Sequence, residues 1–283
     1  MRIGITGAGG QLGTDLAAHC GEMGDDVIAW SRAQLDITDP DAVTAAIVDA
    51  GLDAVVNCAA WTAVDACEGD PDRAEKVNGI AVGHLAEAAV AGGAHLVQIS
   101  TDYVFDGTKG APYLEDDTPS PASVYGRSKL VGERRAGADA TVVRTSWVYS
   151  RHAGNMVATI CRVMGEVDEL AFVDDQVGHP TCTESLAIAV RRLAEARLAG
   201  VFHCTNAGAV SWFGFAQAVL IAAGESPDRV RPITTDELEP PRPAPRPADS
   251  RLSNRRYGDL FEPLPDFRDG LEEVVATQLH RLQ

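Results

Sequence analysis

The sequence has little positive charge for its length. It carries 24 lysines and arginines against 41 aspartates and glutamates in 283 residues, which gives a formal net charge of −17. A surface this acidic repels the phosphates of nucleic acids and of anionic membranes. We therefore expect neither nucleic acid nor a membrane as a partner.

Cysteine patterns typical of metal sites are missing too. The six cysteines stand apart, without a Cys-x-x-Cys pair or a His/Cys cluster at metal-binding spacing, so we predict no metal site. Isolated cysteines are typical of small buried side chains in a reducing compartment. No apolar run approaches the about 20 residues of a membrane span, and Met1 leads into a predicted strand without a signal peptide. These features indicate a cytoplasmic protein.

The N-terminus combines a short strand, a glycine-rich loop and a helix. The loop follows an apolar strand at residues 2–6 and carries glycines at positions 7, 10 and 13. This spacing gives a tight turn, room for a pyrophosphate and close packing of the helix on the strand. Glycines also serve turns alone, but a loop between a strand and a helix is the context that the dinucleotide motif requires. We predict a dinucleotide site that includes Gly7, Gly10 and Gly13.

The end of the second predicted strand, residues 26–30, bears on the choice of dinucleotide. It is followed by Ser31 and Arg32. An acidic residue here binds the ribose 2′-hydroxyl of NAD, whereas an arginine accommodates the 2′-phosphate of NADP. NADPH is therefore favoured and NADH stays open; the alternative is that Arg32 only points into solvent. Asp36 is a further candidate on the adenosine side.

Strands and helices alternate regularly through the first half of the chain. Residues 53–57, 95–99 and 140–144 have the apolar content of buried strands. The alternation predicts an α/β fold, a Rossmann-type doubly wound parallel sheet with helices on both faces. We expect an NAD(P)-binding domain at residues 1–150 with a returning segment at about 170–205, and a smaller, partly interleaved C-terminal substrate-binding lobe at residues 151–283.

Several helix starts are marked by capping residues. Thr38 is predicted to cap the helix that begins near Pro40, and residues 181–184 to form a capping box. Pro71 is expected to begin one long helix that stops at residues 92–93. The last helix is expected from about residue 266.

The most informative stretch lies between residues 100 and 129. Thr101 follows an apolar run and is predicted at the carboxyl end of a strand, where open α/β sheets bind ligands. Tyr125 and Lys129 are four apart in a predicted helix and share one face. An ammonium beside a phenol lowers its pKa from about 10, which favours proton donation to a carbonyl oxygen. An exposed i,i+4 pair is the alternative, but the position after the strand favours a catalytic one.

The proline-rich segment at residues 240–247 is the one compositionally biased stretch. Such a segment is extended and stiff. Arg242 and Arg246, with Arg251 just beyond, form a local basic patch in an acidic protein. A clamp for a diphosphate and a solvated proline loop both fit this composition.

Five motifs occur in order along the chain. They are Thr6-Gly-x-x-Gly-x-x-Gly13, Ser100-Thr-Asp-Tyr-Val-Phe-Asp-Gly107, Val124-Tyr-Gly-Arg-Ser-Lys-Leu-x-Gly-Glu133, Arg144-Thr-Ser-Trp-Val-Tyr149 and Arg246-Pro-x-Asp-Ser250. Together they resemble the dTDP-4-dehydrorhamnose reductase family of extended short-chain dehydrogenases/reductases, over nearly the whole chain. The second and third motifs are specific, whereas the glycine loop is shared with many relatives.

The resemblance implies roles for individual residues. Thr101 matches the hydroxyl that hydrogen-bonds the substrate carbonyl, Tyr125 the general acid, and Lys129 the residue that lowers the tyrosine pKa and holds the nicotinamide ribose. Asp102 and Trp147, with Thr101, match contacts to the sugar, and Arg246 is the candidate for the diphosphate. The matched cofactor contacts are Gly10, Gln11, Leu12, Asp36, Ile37, Ala60, Trp61 and Thr62, beside the candidates Gly7, Gly13, Ser31 and Arg32.

The implied activity is the reduction of dTDP-4-dehydro-L-rhamnose to dTDP-L-rhamnose with NADPH or NADH. Another dTDP-4-keto sugar is the alternative substrate, and a non-catalytic NADP-binding regulatory subunit, like that of methionine adenosyltransferase, is the alternative class. Some bacterial members form a homodimer through a magnesium ion held by carboxylates. Asp15 and Glu184 supply two such groups and no third is found, so magnesium and the homodimer stay open.

Overall fold

A six-stranded parallel sheet forms the centre of the computed structural model, which describes residues 1–152 and 154–282. The strands lie in the order β2-β1-β3-β4-β5-β10, and every neighbouring pair is parallel. The strands of the chain are β1 (Arg2–Thr6), β2 (Asp26–Trp30), β3 (Ala54–Asn57), β4 (His95–Thr101), β5 (Thr141–Thr145), β6 (Val148–Tyr149), β7 (Leu170–Val173), β8 (Val177–Gly178), β9 (Thr181–Cys182), β10 (Gly200–His203), β11 (Val210–Ser211) and β12 (Val230–Ile233). The predicted fold class is confirmed.

Helices cover both faces of this sheet. They are α1 (Gln11–Glu22), α2 (Pro40–Ile47), α3 (Val64–Gly69), α4 (Pro71–Glu75), α5 (Ala81–Gly92), α6 (Val124–Ala136), α7 (Met156–Met164), α8 (Thr183–Ala196), α9 (Trp212–Ala222), α10 (Arg255–Gly258) and α11 (Leu271–Leu282). Successive strand side chains point to opposite faces. Val56 therefore packs on the side of α1 and α8, while its neighbour Val55 packs on the side of α2 and α5.

The strand order places a crevice beside the glycine loop. From β1 the chain crosses to β2 on one side and then returns to β3 on the other, so connections leave β1 and β3 in opposite directions. Ligands of open α/β sheets bind at such a switch point, outside the carboxyl ends of the strands. The glycine loop follows β1 at this place.

The C-terminal part of the chain has a core of its own. Apolar side chains of α7, α9 and α11 pack together, among them Ile160, Phe215, Phe267 and Val275. β7 pairs with β12 outside the central sheet, whereas β10 pairs with β5 inside it. The second core fits the expected substrate-binding lobe, and the residue limits of the two parts stay a prediction.

Two capping predictions are wrong, and one helix is irregular. Asp39, not Thr38, caps α2, because its carboxylate accepts from the N–H groups of residues 41 and 42 while the Thr38 hydroxyl donates to Asp36. Cys182 is the N-cap of α8, and the Thr181 hydroxyl donates to the His179 carbonyl instead of closing a capping box with Glu184. The long helix from Pro71 contains a π-helical turn at Lys76–Ile80, and the last helix begins at Leu271.

The cysteines and the helices bear on what the sequence predicts for them. All six cysteines carry free thiols, five of them buried and Cys58 half-buried. Within residues 1–152 and 154–282, none of the helices has the length and apolar character needed to cross a bilayer.

A buried ion pair joins α6 to the sheet. The Arg144 guanidinium donates to both carboxylate oxygens of Glu133 at 2.9 and 2.7 Å, and the two side chains are only 3% and 6% exposed. The Ser100 hydroxyl donates to the same carboxylate. Residues of β5, α6 and β4 are thus held at one point, close to the carboxyl ends of the strands.

Replacement of Arg144 tests the importance of this point. Arg144→Met leaves the buried Glu133 carboxylate without its ion-pair partner, so we expect a loss of about 3–5 kcal/mol of unfolding free energy in denaturant titrations. The control, Arg162→Met, removes a pair with Glu166 whose side chains are 53% and 55% exposed, and should cost at most about 0.5 kcal/mol. Equal losses in the two variants would contradict the interpretation.

Candidate active site

Two neighbouring cavities lie at the carboxyl ends of the central strands, with volumes of about 370 and 410 Å³. The first cavity is lined by Gly7, Gly9, Gly10, Arg32, Leu35, Asp36, Ile37, Cys58, Ala59, Ala60, Trp61, Arg73 and Val77. The second cavity is lined by Gly10, Gln11, Leu12, Asn57, Cys58, Ala59, Ala60, Thr62, Val64, Ile99, Ser100, Thr101, Asp102, Tyr103, Tyr125, Lys129, Thr145, Ser146, Trp147, Val148 and Trp212. Residues 58–60 and Gly10 line both, so the cavities form one continuous groove along the glycine loop.

The glycine loop makes room that side chains would fill. Gly7 has a φ of +67°, and a Cβ there would lie 2.6 Å from the Ala59 nitrogen. A Cβ on Gly13 would clash with the Gly7 carbonyl oxygen, so the first turn of α1 packs directly against the loop backbone. Gly10 is the N-cap of α1, and the first N–H groups of this helix face a site suited to an anion. This cradle fits a dinucleotide pyrophosphate.

One side of the first cavity carries positive charge. Arg32 lines the cavity as predicted, together with Asp36, whose pKa is lowered by hydrogen bonds from the Thr38 backbone and side chain. Ser31 lies outside both cavities, because its N–H and hydroxyl both donate to Gln34 in a turn. Arg73 was not predicted, and its guanidinium lies 4.3 Å above the Trp61 ring.

Thr101 ends β4 at the wall of the second cavity, as predicted. Its hydroxyl donates to Asp102 Oδ1 at 2.9 Å and accepts from the Tyr103 N–H at 3.2 Å. Asp102 is only 1% exposed, and burial raises its pKa to about 6. Among the described residues, Asp102 Oδ2 and Thr145 Oγ1 have no hydrogen-bond partner. Both residues line the second cavity, so a hydroxyl-rich ligand would find two unmatched oxygens there.

Tyr125 and Lys129 reach the same cavity from α6, but their electrostatics differ from the sequence prediction. Lys129 Nζ donates to the Ile99 carbonyl of β4 at 2.6 Å, and burial lowers its pKa to about 8 against the opposing charge of Glu133. Burial raises the pKa of Tyr125, and the nearby Asp102 charge adds to the increase. The prediction of a lowered tyrosine pKa is wrong for this structure, because desolvation is the largest influence on the phenol and the lysine ammonium is bonded to the Ile99 carbonyl.

Trp147 is held in an uncommon conformation at the wall of the second cavity. Its φ of +46° is costly for a bulky residue, by about 1–3 kcal/mol, and such strain concentrates at functional sites. The ring stacks on Trp212 at 3.7 Å between centroids. A Cβ on Gly178 would lie 2.7 Å from the ring, so this glycine leaves space for it.

Arg246 lies beside the second cavity and not in it. It lines a third cavity of about 210 Å³, whose other lining residues are Tyr103, Met156, Ala171, Phe172, Val173, Gln176, Trp212, Leu238 and Arg242. Tyr103 and Trp212 line both the second and the third cavity. The two spaces are therefore neighbours separated by two aromatic rings.

The carboxylates considered as magnesium ligands are bonded to other side chains of the same chain. Asp15 accepts from His152 Nε2 at 2.9 Å and from Thr183, while Glu184 and Glu273 both pair with Arg151 at 2.7 and 2.9 Å. Over residues 1–152 and 154–282, no three His, Cys, Asp or Glu side chains are arranged to hold a metal ion. These carboxylates are thus engaged within one chain, and magnesium and the homodimer stay open.

Several wall residues gave no usable sequence signal. Asn57 links three strands, since it accepts from Thr6 and donates to Gln98 beneath the groove. Trp212 comes from the start of α9, 111 residues after Thr101 along the chain, and only tertiary packing brings them to one cavity. Asn78, in the π-helical turn, bonds both the Trp61 backbone and the Ser128 hydroxyl.

Comparisons with known proteins agree with this geometry. A family model described as RmlD substrate binding domain matches residues 1–280. A dTDP-4-dehydrorhamnose reductase of Mycolicibacterium smegmatis is 43% identical over 98% of this chain and 86% of its own length. A Streptomyces antibioticus protein named probable dTDP-4,6-dihydroxy-2-methyloxan-3-one 4-ketoreductase is 42% identical over 99% of this chain and 96% of its own. The crystal structure of dTDP-4-dehydrorhamnose reductase from Bacillus anthracis in complex with NADP has a TM-score of 0.91 at 34% identity, covering 97% and 98% of the two chains.

The fold and the groove define a dinucleotide-binding oxidoreductase on a Rossmann-type sheet. Within that class, the chain belongs to the dTDP-4-dehydrorhamnose reductase family. The resemblance drawn from the five motifs is confirmed.

The cradle of the glycine loop can be tested by filling it. In Gly13→Ala the new methyl group meets backbone atoms that cannot move aside, at a cost of about 1–3 kcal/mol. We expect the affinity for NADP(H), measured by fluorescence titration, to fall about 10-fold or more. Gly21→Ala is the matched control, because a Cβ at this position of α1 meets nothing within 4 Å and should leave the affinity unchanged. Equal affinities in the two variants would contradict the assignment of the cradle.

Proposed function

We propose that this protein reduces the 4-keto group of a dTDP-deoxysugar, with dTDP-4-dehydro-L-rhamnose as substrate, dTDP-L-rhamnose as product and NADPH as reductant. The observation that carries the proposal is the meeting of Thr101, Tyr125 and Lys129 in the second cavity beside Trp147. A hydroxyl, a phenol and an amine at the end of the glycine-loop groove are the groups that a carbonyl reductase needs.

The dinucleotide binds in the first cavity and in the part of the second cavity that borders it. The loop from Gly7 to Gly13 and the N-terminus of α1 receive the pyrophosphate, and Arg32 faces the 2′-phosphate that distinguishes NADPH from NADH. The contact residues are Gly7, Gly10, Gln11, Leu12, Gly13, Arg32, Asp36, Ile37, Ala60, Trp61, Thr62, Tyr125 and Lys129. Bound NADPH supplies the hydride that attacks the sugar carbonyl carbon.

Tyr125 gives its proton to the oxygen of the former ketone. Because burial raises its pKa, the phenol stays protonated at neutral pH and is ready to act as an acid. The Thr101 hydroxyl hydrogen-bonds the same oxygen and stabilises its developing charge. Lys129, charged below pH 8, is held on the Ile99 carbonyl and presents its remaining N–H groups to the nicotinamide ribose.

The sugar is oriented by polar and aromatic groups of the second cavity. Asp102 and Thr145 offer unmatched oxygens to its hydroxyls, and Trp147 lies against the ring. The aromatic third cavity, with Arg246 and Arg242 as its charged lining residues, suits the nucleoside diphosphate. The 4-keto sugar of the Streptomyces antibioticus relative favours a second candidate substrate, a related dTDP-4-keto sugar. The cytoplasm is the proposed compartment.

A substrate panel tests the proposal directly. Purified protein is assayed for loss of NADPH and NADH absorbance with dTDP-4-dehydro-L-rhamnose, with other dTDP-4-keto sugars and with UDP-linked analogues. We expect turnover with the dTDP sugars, and Tyr125→Phe should lower kcat about 10²–10⁴-fold at near-normal dinucleotide affinity. Tyr257→Phe alters a buried tyrosine outside the groove and serves as the control. If the protein binds NADPH or NADH but oxidises neither with any of these sugars, the result would favour the non-catalytic regulatory subunit.

The lysine predicts an alkaline limit to activity. Its pKa of about 8 lies below the usual value, so the ammonium is present at neutral pH and is lost as the pH rises through 8. We expect kcat/KM to be constant between about pH 6.5 and 7 and to decline with a midpoint near 8. In Lys129→Arg, whose guanidinium keeps its charge, the residual activity should show no such decline. An unchanged decline in that variant would assign it to another group.

A further inference from the structure

We propose that Asp65 is a positioning residue for the nucleotide part of the substrate, acting through Arg246. The inference rests on the proposed function, because it assigns Arg246 to the diphosphate. Asp65 lies in the first turn of α3, three residues beyond the stretch 60–62 that lines the dinucleotide groove. Arg246 belongs to the proline-rich segment of the C-terminal part.

The contact between these residues is a two-point ion pair. Arg246 Nη2 donates to Asp65 Oδ2 at 2.7 Å, and Nη1 donates to Oδ1. The Ala244 N–H donates to Oδ1 at 3.1 Å, and Arg242 Nη1 lies 3.5 Å from Oδ2. The hydrogen bond from Arg246 is the main reason that the Asp65 pKa is lowered to about 2. One carboxylate thus gathers three groups of the segment at residues 242–246.

The geometry fixes the direction of the guanidinium. A bidentate pair with a planar fork allows one orientation, which a single-point contact would not. Nη1 of Arg246 also donates to the Ala244 carbonyl at 2.7 Å, and its side chain is only 15% exposed. Arg246 is therefore held at the edge of the third cavity, next to Tyr103, whose ring meets the Tyr125 ring edge-on at 5.7 Å.

The charge balance leaves the site attractive to an anion. Two guanidiniums face one carboxylate, so a surplus positive charge remains in a protein with a net charge of −17. The Arg242 side chain is 54% exposed and makes one contact with Asp65 at 3.5 Å, whereas Arg246 is 15% exposed and held by the two-point pair. A diphosphate on this pair would lie on the far side of Tyr103 and Trp212 from the reacting carbonyl.

Asp65 also connects the two substrates. Its helix begins where the dinucleotide groove ends, and its carboxylate holds the segment that lines the nucleotide cavity. Loss of the carboxylate charge should therefore free Arg246 and weaken nucleotide binding while the chemistry on bound sugar continues. We expect a raised KM for the nucleotide sugar with a smaller change in kcat.

The test compares Asp65→Asn with Asp259→Asn in the full-length protein. Asp259 forms an exposed pair with Arg255 and is the matched control. In Asp65→Asn we expect KM for dTDP-4-dehydro-L-rhamnose and Kd for dTDP, measured calorimetrically with NADP⁺ present, to rise about 10-fold, with Kd for NADPH unchanged. Unchanged thermal unfolding and NADPH binding show that the variant is folded.

The second arm uses Arg246→Ala with and without Asp65→Asn. If Asp65 acts through Arg246, adding Asp65→Asn to Arg246→Ala produces no further loss of dTDP affinity. Additive losses, or an unchanged dTDP affinity in Asp65→Asn, would overturn the inference. A wild-type protein that binds dTDP but reduces none of the dTDP sugars would instead refute the proposed function, and the dTDP titrations would still decide the role of Asp65.

Discussion

The Glu133 carboxylate is shared between Arg144 of β5 and Ser100 of β4, in a place almost closed to solvent. One helical turn away on α6, Lys129 reaches back to the Ile99 carbonyl of β4. The helix that carries Tyr125 is thereby tied to the strand that carries Thr101 at two successive levels. Because a buried ion pair tolerates little displacement without losing its compensation, these bonds set the distance between the phenol and the threonine hydroxyl. The rest of the groove is built around that fixed distance.

Burial is the common cause of the unusual electrostatics of this site. Burial disfavours the charged form of each group. It therefore raises the pKa of the Tyr125 phenol and lowers the pKa of the Lys129 ammonium. It also raises the pKa of Asp102. The exclusion of water thus sets the protonation of the phenol and of the amine, while Arg32, Arg242 and Arg246 place local positive charge on an otherwise acidic protein.

Local sequence features predicted the parts of the site that local geometry determines. The glycine spacing and the strand before Thr101 place those residues at strand ends, and the four-residue spacing puts Tyr125 and Lys129 on one helix face. The pKa of Tyr125 was mispredicted because desolvation depends on packing that the sequence does not display. The cap of α2 was mispredicted because two adjacent polar residues, Thr38 and Asp39, can both cap a helix. The Thr38 hydroxyl is bonded to Asp36, so Asp39 caps the helix instead. Trp212 and Asp65 reach the site only through tertiary contacts.

The position of β10 has a consequence for truncated forms of this protein. The strand comes from the second half of the chain, yet it closes the outer side of β5 in the central sheet. A fragment that ended near residue 150 would expose the unpaired backbone N–H and C=O groups along one edge of β5. Unpaired edge strands of this kind promote pairing with other chains and aggregation. This edge of β5 is also unpaired during synthesis, until residues 200–203 have left the ribosome. The first 150 residues therefore depend on β10 to cover this edge of the sheet.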